Sequence, residues 1–204
     1  MTSVDHLTGA TIGEAPHPCR GCMWWQTRPG RDPGERQDWI REAEDEFGPW
    51  GKVYRDETGV IGLNQYGPAQ EFPRAQTMPA GPPSRDAVLV TCAYLTDAQS
   101  PWVLQSLFLA AIGECRDNGK PALEAFAYRY PEKETNFERF HVHKTIFPAD
   151  FLADFGFVPV RAKGRVELAR LELGGLQPVE EGAREKVLAR VQEAFMPAPA
   201  PQRF

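Results

Sequence analysis

Residues 86–119 read DAVLVTCAYLTDAQSPWVLQSLFLAAIGECRDNG, and this stretch decides the fold. Its first ten residues are mostly apolar, which is typical of a strand covered on both faces of a sheet. From Trp102 the apolar positions recur with helical spacing, until Gly119 ends the pattern. A second apolar run, ALEAFAY at residues 122–128, follows at once. The order strand, helix, strand predicts a mixed α/β domain, in which the amides at the start of the helix could hold a phosphate.

Weaker patterns on both sides of this unit predict the remaining elements. Toward the N-terminus we expect a first strand at residues 19–26, a helix at 35–47, a hairpin of strands at 51–56 and 60–66, and a proline-rich surface excursion at 68–84. Toward the C-terminus we expect a polar insertion at 129–144, a short helix at 148–155 and strands at 156–160 and 166–173.

The same patterns divide the chain into four parts. We expect a flexible N-terminal segment at residues 1–18, one domain at 19–178, an amphipathic C-terminal helix within 179–196 and a proline- and alanine-rich tail at 197–204. The apolar stripe of the C-terminal helix is too wide to be left in water. It therefore either covers its own domain or pairs two chains into a homodimer.

Composition excludes several classes of function. The 204 residues are 42% hydrophobic and 25% charged, as in ordinary globular proteins. The net charge of −5 does not favour nucleic acid or anionic lipid as a partner. No apolar run approaches the ~20 residues of a membrane span, and the first residues do not resemble a signal peptide. Four cysteines in a chain of this length do not indicate a disulfide scaffold, so we expect a cytoplasmic protein.

The order of the elements resembles that of the GCN5-related N-acetyltransferase (GNAT) superfamily over residues 19–173. GKVYRDETGVIGLNQYGP at 51–68 looks like that superfamily's second and third strands, and residues 87–119 match its cofactor-binding segment. FLADFGF at 151–157 matches its short helix before Gly-Phe. The resemblance implies a mixed central sheet flanked by helices, here with an extra C-terminal helix, and acetyl-CoA as the co-substrate.

The resemblance also implies where acetyl-CoA would bind. The pantetheine would lie along the central strand and the pyrophosphate at the start of the helix, which involves Cys92, Ala93, Tyr94, Gln99, Val103, Leu104, Gln105 and Ser106. The superfamily's loop there reads Arg/Gln-x-x-Gly-x-Gly/Ala. Gln99 fits its first position, but Trp102 and Leu104 stand where glycines are expected, and Pro101 has no N–H. Because large side chains can keep a phosphate away from the backbone, the loop either tolerates these residues or no longer binds CoA.

Proton transfer has fewer candidates than the superfamily pattern implies. The superfamily's short helix often carries a tyrosine that protonates the CoA thiolate, whereas this chain has Leu152 at the matching place. Tyr94, Tyr128 and Tyr130 lie near the predicted opening of the sheet, with core or rim packing as the alternative. His141 and His143 in the polar insertion could accept a proton from an amine, because imidazole titrates near neutrality. Glu124 is the second candidate base. Exposed loop histidines are the alternative for the pair.

His17, Cys19 and Cys22 form a separate constellation. They offer three of the four ligands that a structural zinc site requires, and a CxxC pair can also support dithiol chemistry. Because a fourth ligand is missing and apolar residues follow, we predict that the two cysteines are structural and hold no metal.

The function expected from the sequence is transfer of an acetyl group from acetyl-CoA to a small-molecule amine by direct attack on the thioester. The alternative is a protein of the same fold that no longer uses acetyl-CoA and serves as a small-molecule binding or assembly module.

Overall fold

A computed structural model describes residues 2–28, 34–96, 101–131 and 146–176. The strands in chain order are β1 (Ser3–His6), β2 (Gly51–Asp56), β3 (Gly59–Pro68), β4 (Ala87–Leu95), β5 (Ala122–Tyr128), β6 (Phe147–Pro148), β7 (Val158–Lys163) and β8 (Val166–Glu172). The helices are α1 (His17–Arg20), α2 (Arg36–Glu46), α3 (Pro101–Asp117) and α4 (Ala149–Asp154).

The eight strands form one mixed sheet. Its order is β1-β2-β3-β4-β5-β8-β7, with β6 paired to β5 off this path. β4 and β6 run parallel to β5, while the other neighbouring pairs are antiparallel. The prediction of a mixed α/β sheet flanked by helices is therefore confirmed.

Each face of the sheet has its own apolar core. Helices α3 and α4 cover one face, called here the α3 face, where Phe108 is fully buried and packs against the rings of four other phenylalanines. The opposite face is covered by α2, by the turn that carries Trp25 and by the segment around Phe72. Because both faces are covered, the central strands β4 and β5 are apolar almost throughout.

Strand β3 fixes the position of α3 through close contacts. An added Cβ at Gly62 would lie 2.6 Å from Val103 Cγ1, so only glycine lets the first turn of the helix come this close. Further along, Asn64 Nδ2 donates a hydrogen bond to the Leu107 carbonyl oxygen at 3.0 Å. Tyr66 donates to Glu114 Oε1, also at 3.0 Å. The helix is therefore held against β3 from its first turn almost to its last.

Three predictions about the N-terminal half are wrong. Residues 19–26 form no strand, because the short helix α1, with Pro18 in its first turn, extends to Arg20. The chain then turns so that Trp25 stacks on Phe126, 5.9 Å between ring centroids. Residues 3–6, expected in a flexible segment, form β1, which pairs with β2. The proline-rich excursion is not confined to the surface, since Phe72 is fully buried. The predicted helix at 35–47, the hairpin and the unit at 86–128 are confirmed.

Several predicted features lie outside the described residues. These are the polar insertion from residue 132 with His141 and His143, the loop residue Gln99, the C-terminal helix and the tail. In the part of the chain that is described, no helix combines the length and the apolar character needed to cross a membrane.

Candidate functional site

A β-bulge interrupts the central strand β4. In the ladder between β3 and β4, Gln65 lies opposite Cys92, whereas the next residue, Tyr66, lies opposite Val90. Thr91 is therefore an extra residue on β4, and its Oγ1 donates a hydrogen bond to the Gln65 carbonyl oxygen at 3.1 Å. A bulge of this kind bends its strand and increases the local twist.

Strands β4 and β5 separate at this bulge. Their parallel pairing runs from Ala87 opposite Ala122 to Val90 opposite Ala125 and then ends, although both strands continue. β8 pairs along the whole outer edge of β5, so β6 must lie on the edge that faces β4, opposite Ala127 and Tyr128. A cleft therefore opens between residues 91–95 and the end of β5. Among the described residues, this edge of β4 has no strand partner.

The bulge also changes which side chains face which core. Val88 and Val90 lie on the α3 face before the bulge, and Ala93 and Leu95 lie there after it. Side chains alternate along a strand, so Cys92 and Tyr94 lie on the opposite face, where both are partly buried. Desolvation by burial raises the pKa of the Cys92 thiol to about 12. Cys92 is thus a neutral thiol at physiological pH and a poor nucleophile.

The first turn of α3 lies beyond the end of β4. The first amides of an α-helix have no partner within the helix, and Pro101 has no N–H, which leaves those of Trp102 and Val103 within the described part of α3. The helix dipole adds partial positive charge at this end. Of the other residues expected to bind the cofactor here, Gln105 is exposed and Ser106 is half-buried.

The two large side chains at the start of α3, those of Trp102 and Leu104, differ in their exposure to solvent. Leu104 is fully buried in the core of the α3 face, so its side chain points away from the first amides of the helix and does not obstruct a phosphate there. Trp102 is 53% exposed and remains the bulky group at this end of the helix.

Two tyrosines flank the cleft on the face opposite α3. Tyr94 lies on β4 after the bulge, and Tyr128 ends β5 on the same face as the buried Phe126. The ring of Tyr128 lies 4.8 Å from that of Tyr130, between centroids. Leu152 on α4 is fully buried, so α4 carries no phenol where the superfamily often has its acid.

Glu124 lies away from the cleft. It is opposite Leu89, in the part of β5 that is still paired with β4, and its side chain is fully buried. The carboxylate accepts hydrogen bonds from the Ser84 backbone N–H at 2.8 Å, from Ser84 Oγ at 2.6 Å and from Arg170 Nη1 at 3.2 Å. This arrangement suits a carboxylate that ties β5 to its neighbours, and we assign it no part in the chemistry.

A cavity of about 280 Å³ lies beside α4 on the α3 face. Ala127 of β5 and Ala153 of α4 line it, with the ion pair of Arg129 and Glu167 among its polar groups. Among the residues that the structure describes, no three His, Cys, Asp or Glu side chains are grouped so that they could hold a metal ion. That Cys19 and Cys22 are structural stays a prediction.

Comparison with known proteins supports the fold. No protein-family model matches the chain, and no curated protein matches it by sequence. Among solved structures, an N-acetyltransferase from Staphylococcus aureus Mu50 is similar with a TM-score of 0.50 and 15% identity, over 85% of this chain and 99% of that one. A GNAT-family acetyltransferase structure from Desulfovibrio desulfuricans is similar with a TM-score of 0.50 and 12% identity, over 85% of this chain and all (100%) of that one.

A third similar structure is an acetyltransferase from Salmonella typhimurium, solved with its cofactor acetyl-CoA. Its TM-score is 0.48 with 20% identity, over 88% of this chain and 98% of that one. The first two structures each align with 85% of this chain and establish its fold. The chain therefore has the fold of the GCN5-related N-acetyltransferase superfamily.

Proposed function

We propose that the protein is an N-acetyltransferase that transfers an acetyl group from acetyl-CoA to a small-molecule amine. The observation that carries the proposal is the end of the β4–β5 pairing at Val90 and Ala125, on the strand that precedes α3. It leaves backbone groups of β4 without a strand partner next to a helix N-terminus. Together these groups suit a long ligand that has amide groups along its length and a phosphate-rich end.

The residues of this chain fit acetyl-CoA at two places. Backbone groups of Cys92, Ala93 and Tyr94 would pair with the amides of the pantetheine arm, as a neighbouring strand would. The amides of Trp102 and Val103 would bind the pyrophosphate. When bound, the group supplies an acetyl thioester, which an amine can attack directly.

Proton transfer would be carried out by side chains on the face opposite α3. Tyr94 and Tyr128 flank the cleft there and are the proposed donors to the leaving thiolate. His141 and His143 remain the predicted bases for the amine. Because the Cys92 thiol is neutral, the proposed reaction uses no acetylated cysteine, and binding the two reactants side by side provides most of the acceleration.

Two observations favour the alternative, a protein of this fold that binds a different small molecule. Leu152 is buried where the superfamily often has an acid, and Pro101 and Trp102 replace the more open loop before α3. A single titration decides between the two functions.

We expect acetyl-CoA to stabilise the full-length protein. A ligand at one hundred times its Kd adds about 2.7 kcal/mol to the free energy of unfolding. For a chain of this size that corresponds to a rise in Tm of about 5–10 °C. Differential scanning calorimetry with increasing acetyl-CoA measures it, with AMP as a control that lacks the pantetheine arm. No shift at millimolar acetyl-CoA, or an equal shift with AMP, would reject the proposal in favour of the alternative.

Replacing Trp102 should improve CoA binding, because its exposed side chain is the remaining bulk beside the free amides. We expect Trp102→Ala to lower the Kd for acetyl-CoA about fivefold, for a gain of about 1 kcal/mol. Leu104→Ala should instead destabilise the protein by about 2–5 kcal/mol, because it empties a buried position. Leu109→Ala, exposed on the same helix, is the matched control. Unchanged affinity in folded Trp102→Ala protein would show that this side chain does not limit binding.

A further inference from the structure

The face of the sheet opposite α3 holds an arginine without an acidic partner. Arg36 begins α2, and its guanidinium carbon lies 5.0 Å from the ring centre of Trp50 and 5.4 Å from that of Trp39. Nη1 donates a hydrogen bond to the Cys22 carbonyl oxygen, while Nε is buried without a hydrogen-bond partner. Within the described ranges, no carboxylate lies within ion-pair distance of this guanidinium.

Other donors on this face also lack acceptors. The indole N–H groups of Trp39 and Trp50 and the Nε2 group of Gln65 are buried without partners. Gln65 is only 5% exposed and lies opposite Cys92 in the β3–β4 ladder. Arg36 is close enough to Cys92 to act electrostatically on its thiol. Since opposite residues in a ladder share a face, Gln65 lies beside the segment of β4 that follows the bulge, and Trp39 and Trp50 lie in the core of the same face.

The chemistry of this group is one-sided. It contains several N–H donors and one positive charge, and none of the atoms without partners is an acceptor. Burial lowers the pKa of the Arg36 guanidinium, because desolvation disfavours its charged form. Buried donors and buried charges are normally paired. A negatively charged acceptor would satisfy both the donors and the charge, and the planar fork of Nε with an Nη group matches a carboxylate.

We propose that Arg36, Gln65, Trp39 and Trp50 form a subsite for the carboxylate of the acceptor, so that the acceptor is an amino-acid-like compound. The inference rests on the proposed function, because it takes the ligand on this face to be the acceptor amine. The core of this face also contains Cys92 and Tyr94, which places the subsite on the same side of β4 as the proposed acid Tyr94. A carboxylate held there would direct the rest of the acceptor toward the cleft.

Carboxylate binding can be measured without acetyl-CoA. We expect benzoate to bind the full-length protein at least tenfold more tightly than benzamide, its neutral isostere, in a tryptophan fluorescence titration. Arg36→Gln should remove this tenfold preference. Arg41→Gln, on the exposed side of the same helix, should keep it. Equal binding of the two probes to wild-type protein, or preference for inorganic phosphate over benzoate, would overturn the carboxylate assignment.

A second variant tests the subsite from within the chain. Gln65→Glu keeps the shape of the side chain but adds a carboxylate where we place the ligand's. We expect the folded variant to bind benzoate at least tenfold more weakly, because Arg36 then has an internal partner. Wild-type benzoate affinity in this variant would remove Gln65 from the subsite and reject the inference.

The two proposals can fail separately. Stabilisation by acetyl-CoA without preference for benzoate would overturn only the carboxylate subsite. Preference for benzoate without stabilisation by acetyl-CoA would overturn only the acetyltransferase, and the subsite would then belong to the alternative function.

Discussion

Gly62→Val is expected to reduce kcat/KM for acetyl transfer about 100-fold, because it moves the start of α3. The Cβ alone would lie 2.6 Å from Val103 Cγ1 and 3.0 Å from Leu95 Cδ2, and valine adds two methyl groups to this contact. Overpacking of this kind costs about 1–3 kcal/mol of stability. A shift of about 1 Å at a binding group can cost a factor of about 100 in rate. Steady-state kinetics and calorimetric titration with acetyl-CoA measure the two effects.

Gly113→Ala provides the matched control on the same helix. Among the described residues, no atom outside the adjacent backbone of α3 and the two chain neighbours lies within 4 Å of the Cβ that it adds. Alanine also favours the helix by about 0.5–1 kcal/mol over glycine. We expect a slightly more stable protein with unchanged affinity for acetyl-CoA. If folded Gly62→Val protein binds acetyl-CoA as tightly as wild type does, the start of α3 is not part of the cofactor site.

Arg170→Met should cost about 3–5 kcal/mol of stability, because it leaves Glu124 as a buried charge without its cationic partner. Arg170 contacts three carboxylates: Nη1 lies 3.2 Å from Glu124, Nη2 lies 2.9 Å from Asp86, and Nε lies 2.6 Å from Glu172. Only the Glu124 side chain is fully buried, so only its charge becomes costly. Urea denaturation monitored by circular dichroism measures the loss.

Removing the charge of Glu124 should restore much of that stability. The double variant Glu124→Gln/Arg170→Met keeps the shape of the side chain without a buried charge, and we expect it to recover at least half of the loss. Arg41→Met removes an exposed ion pair and should cost less than about 1 kcal/mol. If Arg170→Met is no more harmful than Arg41→Met, Glu124 does not depend on this partner.

The sequence predicted the central unit well because its apolar patterns are long and have clear ends. β4, α3 and β5 agree with the predicted strand, helix and strand to within one residue at each end. The helical period also contained the information that Leu104 faces the core, since it lies one turn before Leu107 and Phe108. Aligning Leu104 with a loop glycine of the superfamily instead places this residue beside the phosphate, although its side chain lies in the core.

Other features of the structure could not be predicted from the sequence patterns. Every residue of β4 except Thr91 is apolar. The sequence therefore has no alternation of polar and apolar residues that would reveal the change of face at the bulge. The apolar residues before Thr27 suggested a strand, yet Trp25 is buried in a turn while Trp24 stays partly exposed. The role of Glu124 depends on Ser84, 40 residues earlier, and Arg170, 46 residues later, which local patterns do not connect.

The extra residue in β4 has a consequence for sequence comparison. Counting alternate positions from Val88 through Val90 would assign Cys92 and Tyr94 to the side of α3, whereas the fold places both on the other side. An alignment that leaves out the gap at Thr91 would therefore exchange, for the rest of β4, the positions that pack against α3 with those on the opposite face. Deleting Thr91 would remove the bulge and restore regular alternation, so Cys92 and Tyr94 would keep the face on which they now lie.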